Sequence, residues 1–76
     1  MKQIPALSAR QVIQVLKRLG FIEDRQKGSH LMMYHPLQKR RTVVPIHAGA
    51  TIKKQLLISI IEKDAGITIE EFLSNL

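Results

Sequence analysis

Three short β-type runs, residues 21–26, 29–34 and 41–46, follow one another with connections of only a few residues. Connections that short cannot carry the crossover a parallel pair needs, so the runs must pair as an antiparallel meander. Lys27-Gly28 offers the first turn, and His35-Pro36-Leu37-Gln38 ends the second run, because proline donates nothing to a ladder and biases the residue before it. Thr42, Val43, Val44 and Ile46 give the third run its β-branched density, and Pro45 within it points to an edge strand or a strand end.

Helical patterns flank the runs. Ser8 with Gln11 three residues on is a capping-box pattern. Val12, Ile13, Leu16 and Leu19 then recur at helical spacing up to Gly20, predicting a helix over residues 8–19. Arg10, Gln14, Lys17 and Arg18 fall mostly on its other side, where Lys17 and Arg18 complement the helix dipole. Thr51 is positioned as a cap for a second amphipathic helix carrying Ile52, Leu56, Leu57, Ile60 and Ile61 and ending near Ala65-Gly66. Thr68 and Glu71 form another capping-box pattern before Phe72, Leu73 and Leu76, opening a short terminal helix. The expected architecture is α+β: α-β-β-β-α with a tail helix, one domain over residues 1–76, helices on one sheet face and the other face open. Alternation puts His30, Met32 and Tyr34 on one side of the second strand and Leu31 and Met33 on the other. Burying histidine costs more than burying leucine, so Leu31 and Met33 are expected inward and His30 outward.

With 76 residues the core is thin, since folding at this size buries roughly 60% of the unfolded chain's surface. A deep, enclosed active site is therefore not expected. The chain has no cysteine, and His30, His35 and His47 lack a compact metal-ligand spacing, so no disulfide, structural metal or cofactor is expected. The longest apolar run, residues 56–61, is interrupted by Ser59 and is far short of the ~20 residues a membrane span requires; no apolar signal core precedes it. These features fit a cytoplasmic protein. The formal charge of +6 conceals an asymmetry: residues 1–61 hold eleven basic and two acidic side chains, a balance of +9, against four acids and one lysine in residues 62–76. A field of that sign attracts polyanions or an acidic protein partner.

Arg25-Gln26-Lys27-Gly28-Ser29-His30 joins cations, a turn, a hydroxyl and an imidazole within six residues. Imidazole changes charge near pH 6.5, so it can take a proton from a ribose 2′-hydroxyl or give one to a leaving 5′-oxygen. Neighbouring lysine or arginine would hold the phosphate as charge develops on it.

Several ordered motifs resemble the HicA toxins of bacterial type II toxin–antitoxin pairs: Leu-Lys-Arg-Leu-Gly-Phe over residues 16–21; Lys27-Gly28-Ser29-His30 leading to Tyr34-His35-Pro36; residues 40–47; Leu57 with Ile60-Ile61; and Ala65-Gly66-Ile67-Thr68 before Glu70-Glu71-Phe72-Leu73. The resemblance covers nearly the whole chain. It implies a double-stranded-RNA-binding-like fold, mRNA cleavage that depends on His30, and neutralisation by a HicB antitoxin that covers the active surface. The chain departs from the family pattern with Leu31 after the histidine and with Lys53-Lys54-Gln55 where members carry a Lys-Pro-Gly turn.

The leading expectation is thus a monomeric, metal-independent endoribonuclease toxin. His30 serves as general acid/base, Arg25 and Lys27 lie near the phosphate, Ser29 positions or hydrogen-bonds, and Lys39, Arg40 and Arg41 serve as a phosphate clamp at a hairpin tip. The bland alternative for that last run is a solvated edge that discourages strand association. His35, beside Pro36 in a turn, and His47, after the third strand, read as structural or solvent-facing; His47 becomes an auxiliary proton carrier only if folding brings it near His30. Met32 and Met33 read as core or rim filler, or as an adaptable antitoxin contact. Two competing classes are a non-catalytic RNA-binding module and a protein-interaction module for an acidic partner.

Overall fold

The computed structural model describes residues 4–47 and 49–76; Ala48, in the connection after the third strand, lies outside the described residues. Helix α1 spans Ala9–Arg18 and starts at the expected capping box. The Ser8 hydroxyl accepts the Gln11 N–H at 3.3 Å, and Gln11 Oε1 accepts the Ser8 N–H at 2.9 Å. Ala9, Val12, Val15 and Leu16 form its buried stripe. The helix closes with a Schellman turn: the Phe21 N–H reaches the Leu16 carbonyl at 2.9 Å and the Gly20 N–H reaches that of Lys17 at 3.1 Å. Gly20 has φ 107°, which a side chain resists, and Phe21 turns straight into the core at 3% exposure. That is why the first strand begins one residue later than its apolar start implies.

Strands β1 (Ile22–Lys27), β2 (His30–His35) and β3 (Arg40–Pro45) form an antiparallel sheet in the order β1-β2-β3. Gly28-Ser29 makes the first hairpin turn, with Gly28 at φ 60° in the glycine-first pattern of a type II′ turn. The register of β1 shifts between Glu23 and Arg25, so Asp24 stands in a bulge. Pro45 closes β3, an edge strand, where its missing N–H breaks no ladder. In β2, Leu31, Met33 and His35 are buried, while His30 is exposed and Met32 and Tyr34 are half-buried, as alternation implies.

The helices cover the Leu31–Met33 side. Thr51 does not cap the second helix: it forms a β-bridge with Ser8, and the Ile52 N–H bonds the Leu7 carbonyl at 2.8 Å. Helix α2 therefore starts later, at Lys54–Ile58, with Lys53 as an N-cap that makes no side-chain cap bond. From Ser59 to Asp64 the helix widens to π geometry, and the Ala65 N–H closes on Ile60 O at 2.8 Å. The wider turn keeps Leu57, Ile60, Ile61 and Ala65 all in the core while leaving Asp64 beside β3, where its Oδ2 accepts the Thr42 hydroxyl at 2.9 Å. Helix α3, Ile69–Leu73, is capped by the Thr68 hydroxyl accepting the Glu71 N–H at 3.0 Å, and it inserts Phe72 at 0% exposure. The result is the α-β-β-β-α order of an α+β domain with a short terminal helix, 17 Å across its thinnest dimension.

Candidate functional site

Cross-strand register sets out the open sheet face in rows. Ile22, Tyr34 and Arg41 make one, Arg25, Met32 and Val43 the next, and Lys27, His30 and Pro45 the last. His30 opens β2 directly after the Gly28-Ser29 turn, so a rigid ladder rather than a loop carries the imidazole. Its side chain is exposed, with Lys27 across from it on β1 and Arg25 one row away. Among the described residues Arg25, Lys27 and His30 make no side-chain hydrogen bond or ion pair, which leaves their donors available to an anionic ligand. Ser29, half-buried at the turn, holds the end of the sheet together: its carbonyl accepts the Ile46 N–H at 2.6 Å.

At the other end of the same face, Arg41 lies over the Tyr34 ring, 4.4 Å from its centroid, and donates to Asp24 Oδ2 at 3.0 Å. The bulge in β1 turns Asp24 toward that contact. Pairs this exposed contribute little stability, about 0–1 kcal/mol, yet they hold a planar guanidinium against an aromatic ring. Exposed Ile22 and Val43 and half-buried Met32 add apolar surface between the charges. Polar cations, an aromatic ring and apolar patches on one flat sheet suit a ligand with both phosphates and flat bases.

The structure separates the basic run at the second hairpin. Lys39 takes φ 55° in the turn, whose tip also holds Leu37 at 90% exposure. Arg40 pairs with His35 and points to the helix side, its guanidinium lying over Gly66 and Nη1 reaching the Asp64 carbonyl at 3.5 Å. Arg41 alone of the three stands on the open face. Strand alternation carries that signal, because successive residues point to opposite sides. Two cations of α1 are engaged elsewhere, Lys17 with Glu23 Oε2 at 2.6 Å and Arg18 Nη1 with the Asn75 carbonyl at 2.8 Å.

His35 is the last residue of β2 and not part of the turn, and it is buried at 7% exposure. Its Nδ1 accepts the Gln38 N–H at 3.1 Å, so Nε2 carries the proton and donates to the Leu19 carbonyl, also at 3.1 Å. Phe21 meets the ring edge-on at 5.2 Å. Both ring nitrogens are thus engaged by backbone, and His35 is a structural histidine.

Fold and face together define a class: a two-layer α+β domain whose uncovered sheet face presents the exposed imidazole of His30 among cations. A family model described as the HicA toxin of bacterial toxin–antitoxin matches residues 9–67, from the first residue of α1 to the connection before α3. The chain belongs to the HicA toxin family, and so is a toxin of a toxin–antitoxin system with an antitoxin as partner. No curated protein matches it.

Proposed function

We propose that this toxin, acting as a single domain over residues 1–76, is an endoribonuclease that cleaves mRNA on its open sheet face. The observation that carries the reading is His30: an exposed imidazole fixed at the start of a central strand, with Lys27 paired across from it and Arg25 one row away. His30 moves the proton in 2′-hydroxyl attack on the adjacent phosphate, a role that contributes about 10²–10⁴-fold when a side chain is so placed. Lys27 and Arg25 balance the charge that develops on the phosphate oxygens. Ser29 holds the turn that presents the imidazole, and Arg41 grips the strand farther along. Lys39 and Arg40, at the tip and on the helix side, contribute long-range field rather than a clamp. The reaction draws on no metal or cofactor. The free toxin acts as a monomer in the cytoplasm, and a HicB-like antitoxin neutralises it by covering His30 and the cations beside it.

Induction of the wild-type chain alone in a bacterial host should arrest growth and deplete mRNA, whereas His30→Ala should be inert, still folded, and still bind RNA. A His30→Ala variant as toxic as the wild type would sink the reading. Retained toxicity without RNA cleavage would favour a binding module instead.

A further inference from the structure

We propose that His47 is the second proton-transfer group of this face, acting with His30 on the same RNA phosphate. The inference rests on the endoribonuclease reading above and adds to it a residue that composition left among the solvent-facing ones. Three observations place His47. The Ile46 N–H donates to the Ser29 carbonyl at 2.6 Å, so the β2–β3 ladder continues one step past Pro45. Ile46 itself packs against the core, so alternation turns Pro45 and His47 toward the open face, the face of His30. Pro45 and His47 also line one groove of about 420 Å³ with Thr51, Ile52, Lys53 and Leu56.

Pro45 is the residue paired with His30, so the register of β2 and β3, carried two residues beyond the end of β3, sets His47 diagonal to His30. Such neighbours lie roughly 7–8 Å apart, within reach of long or aromatic side chains toward a common point. Two imidazoles at that separation can flank a phosphodiester. The groove beside His47 has an apolar floor from Pro45, Ile52 and Leu56 and a polar rim from Thr51 and Lys53. Its volume falls in the range of small-ligand sites, which suits the nucleotide next to the phosphate. Lys27 pairs with His30 from β1, and Lys53, in the connection before α2, lines the groove with His47.

The step balances without a co-reactant. One imidazole, entering neutral, takes the 2′-hydroxyl proton as O2′ bonds to phosphorus. The P–O5′ bond breaks, and the other, entering as imidazolium, gives its proton to O5′. The products are a 2′,3′-cyclic phosphate and a 5′-hydroxyl, and the two rings re-equilibrate their protons with water.

The test uses a short RNA carrying a site mapped with the wild-type protein, made with O5′ at that site either as oxygen or as sulfur. A thiolate leaves without a proton, so the variant that lacks the proton donor is rescued on the sulfur substrate. His30→Ala and His47→Ala should each lose about 100-fold or more on ordinary RNA while binding its 2′-O-methylated form unchanged. One of the two, and only one, should regain its rate with sulfur. His47→Ala cleaving ordinary RNA at the wild-type rate would overturn the proposal. So would two slow variants with no rescue, or a His47→Ala variant whose only defect is weaker binding of the methylated RNA. Wild-type cleavage by His30→Ala would instead remove the parent reading, and the histidine pair with it.

Discussion

His35 Nε2 occupies the space that a side chain at Gly20 would need: a β-carbon there would stand 2.6 Å from it. Gly20 is thus required twice, for its φ of 107° at the end of α1 and for the ring packed on it. That contact, with the Nε2–H bond to the Leu19 carbonyl, ties the end of α1 to the end of β2.

Gly20→Ala should therefore destabilise by about 2–3 kcal/mol, combining left-handed strain with loss of a buried hydrogen bond. In a His35→Ala background the same change should cost less, because only the backbone strain remains. Chemical denaturation of the four proteins of the cycle measures the coupling. Equal costs in both backgrounds would show that the ring contact contributes nothing.

Phe72→Ala tests the terminal helix, which lies beyond the matched residues 9–67 yet fills the core. Truncating a fully buried phenylalanine costs about 3–5 kcal/mol, a large part of the stability a small domain has. The urea midpoint should fall steeply, and toxicity should fall with it for lack of folded protein. An unchanged midpoint would mean that α3 is dispensable.

Arg40 and Arg41 should separate in RNA binding. Arg41→Glu should weaken binding of 2′-O-methylated RNA and lower the salt slope by about one contact, whereas Arg40→Glu should leave the slope unchanged. Arg40→Glu should instead lower stability, since its guanidinium lies at the end of the π segment. Titrations at several salt concentrations read the difference; identical slopes for both variants would contradict the division of faces.

The products offer a chemical check. Attack by the 2′-hydroxyl predicts a 2′,3′-cyclic phosphate and a 5′-hydroxyl, cleavage that persists in excess EDTA, and no cleavage of DNA or 2′-O-methylated RNA. Mass spectrometry of the fragments reads the ends. A cut in DNA would be incompatible with this chemistry.

Much of this architecture is legible in the residues, and the exceptions share a cause. Ser8, Gln11 and Gly20 announce α1 because caps act locally, and the cost of burying histidine rightly turns Leu31 and Met33 inward. Thr51 has the chemistry of a cap but is drawn into a bridge with Ser8, a partner 43 positions away. The π turn has no local signature: it arises from seating Ile60, Ile61 and Ala65 against a sheet whose spacing is set elsewhere. His35 reads as a turn residue because one partner, Gln38, lies in that turn, whereas the other, Leu19, meets it only once α1 and β2 are docked. At the candidate site, His30 and its cations are adjacent in sequence and stand out there. The ladder, which runs on to Ile46, is what the proposal for His47 rests on, and Arg40 is parted from Arg41 by the pleat.

Strand β1 reads Ile-Glu-Asp-Arg-Gln-Lys, is exposed along its whole length, and forms one rim of the sheet. A second copy laid against that rim would meet a row of charges and, at Asp24, a bulge that throws the ladder out of step. At the opposite rim Pro45 withholds one amide where a new strand would dock. Neither border templates fibre growth, so this sheet can leave one face bare without recruiting its own kind into aggregates.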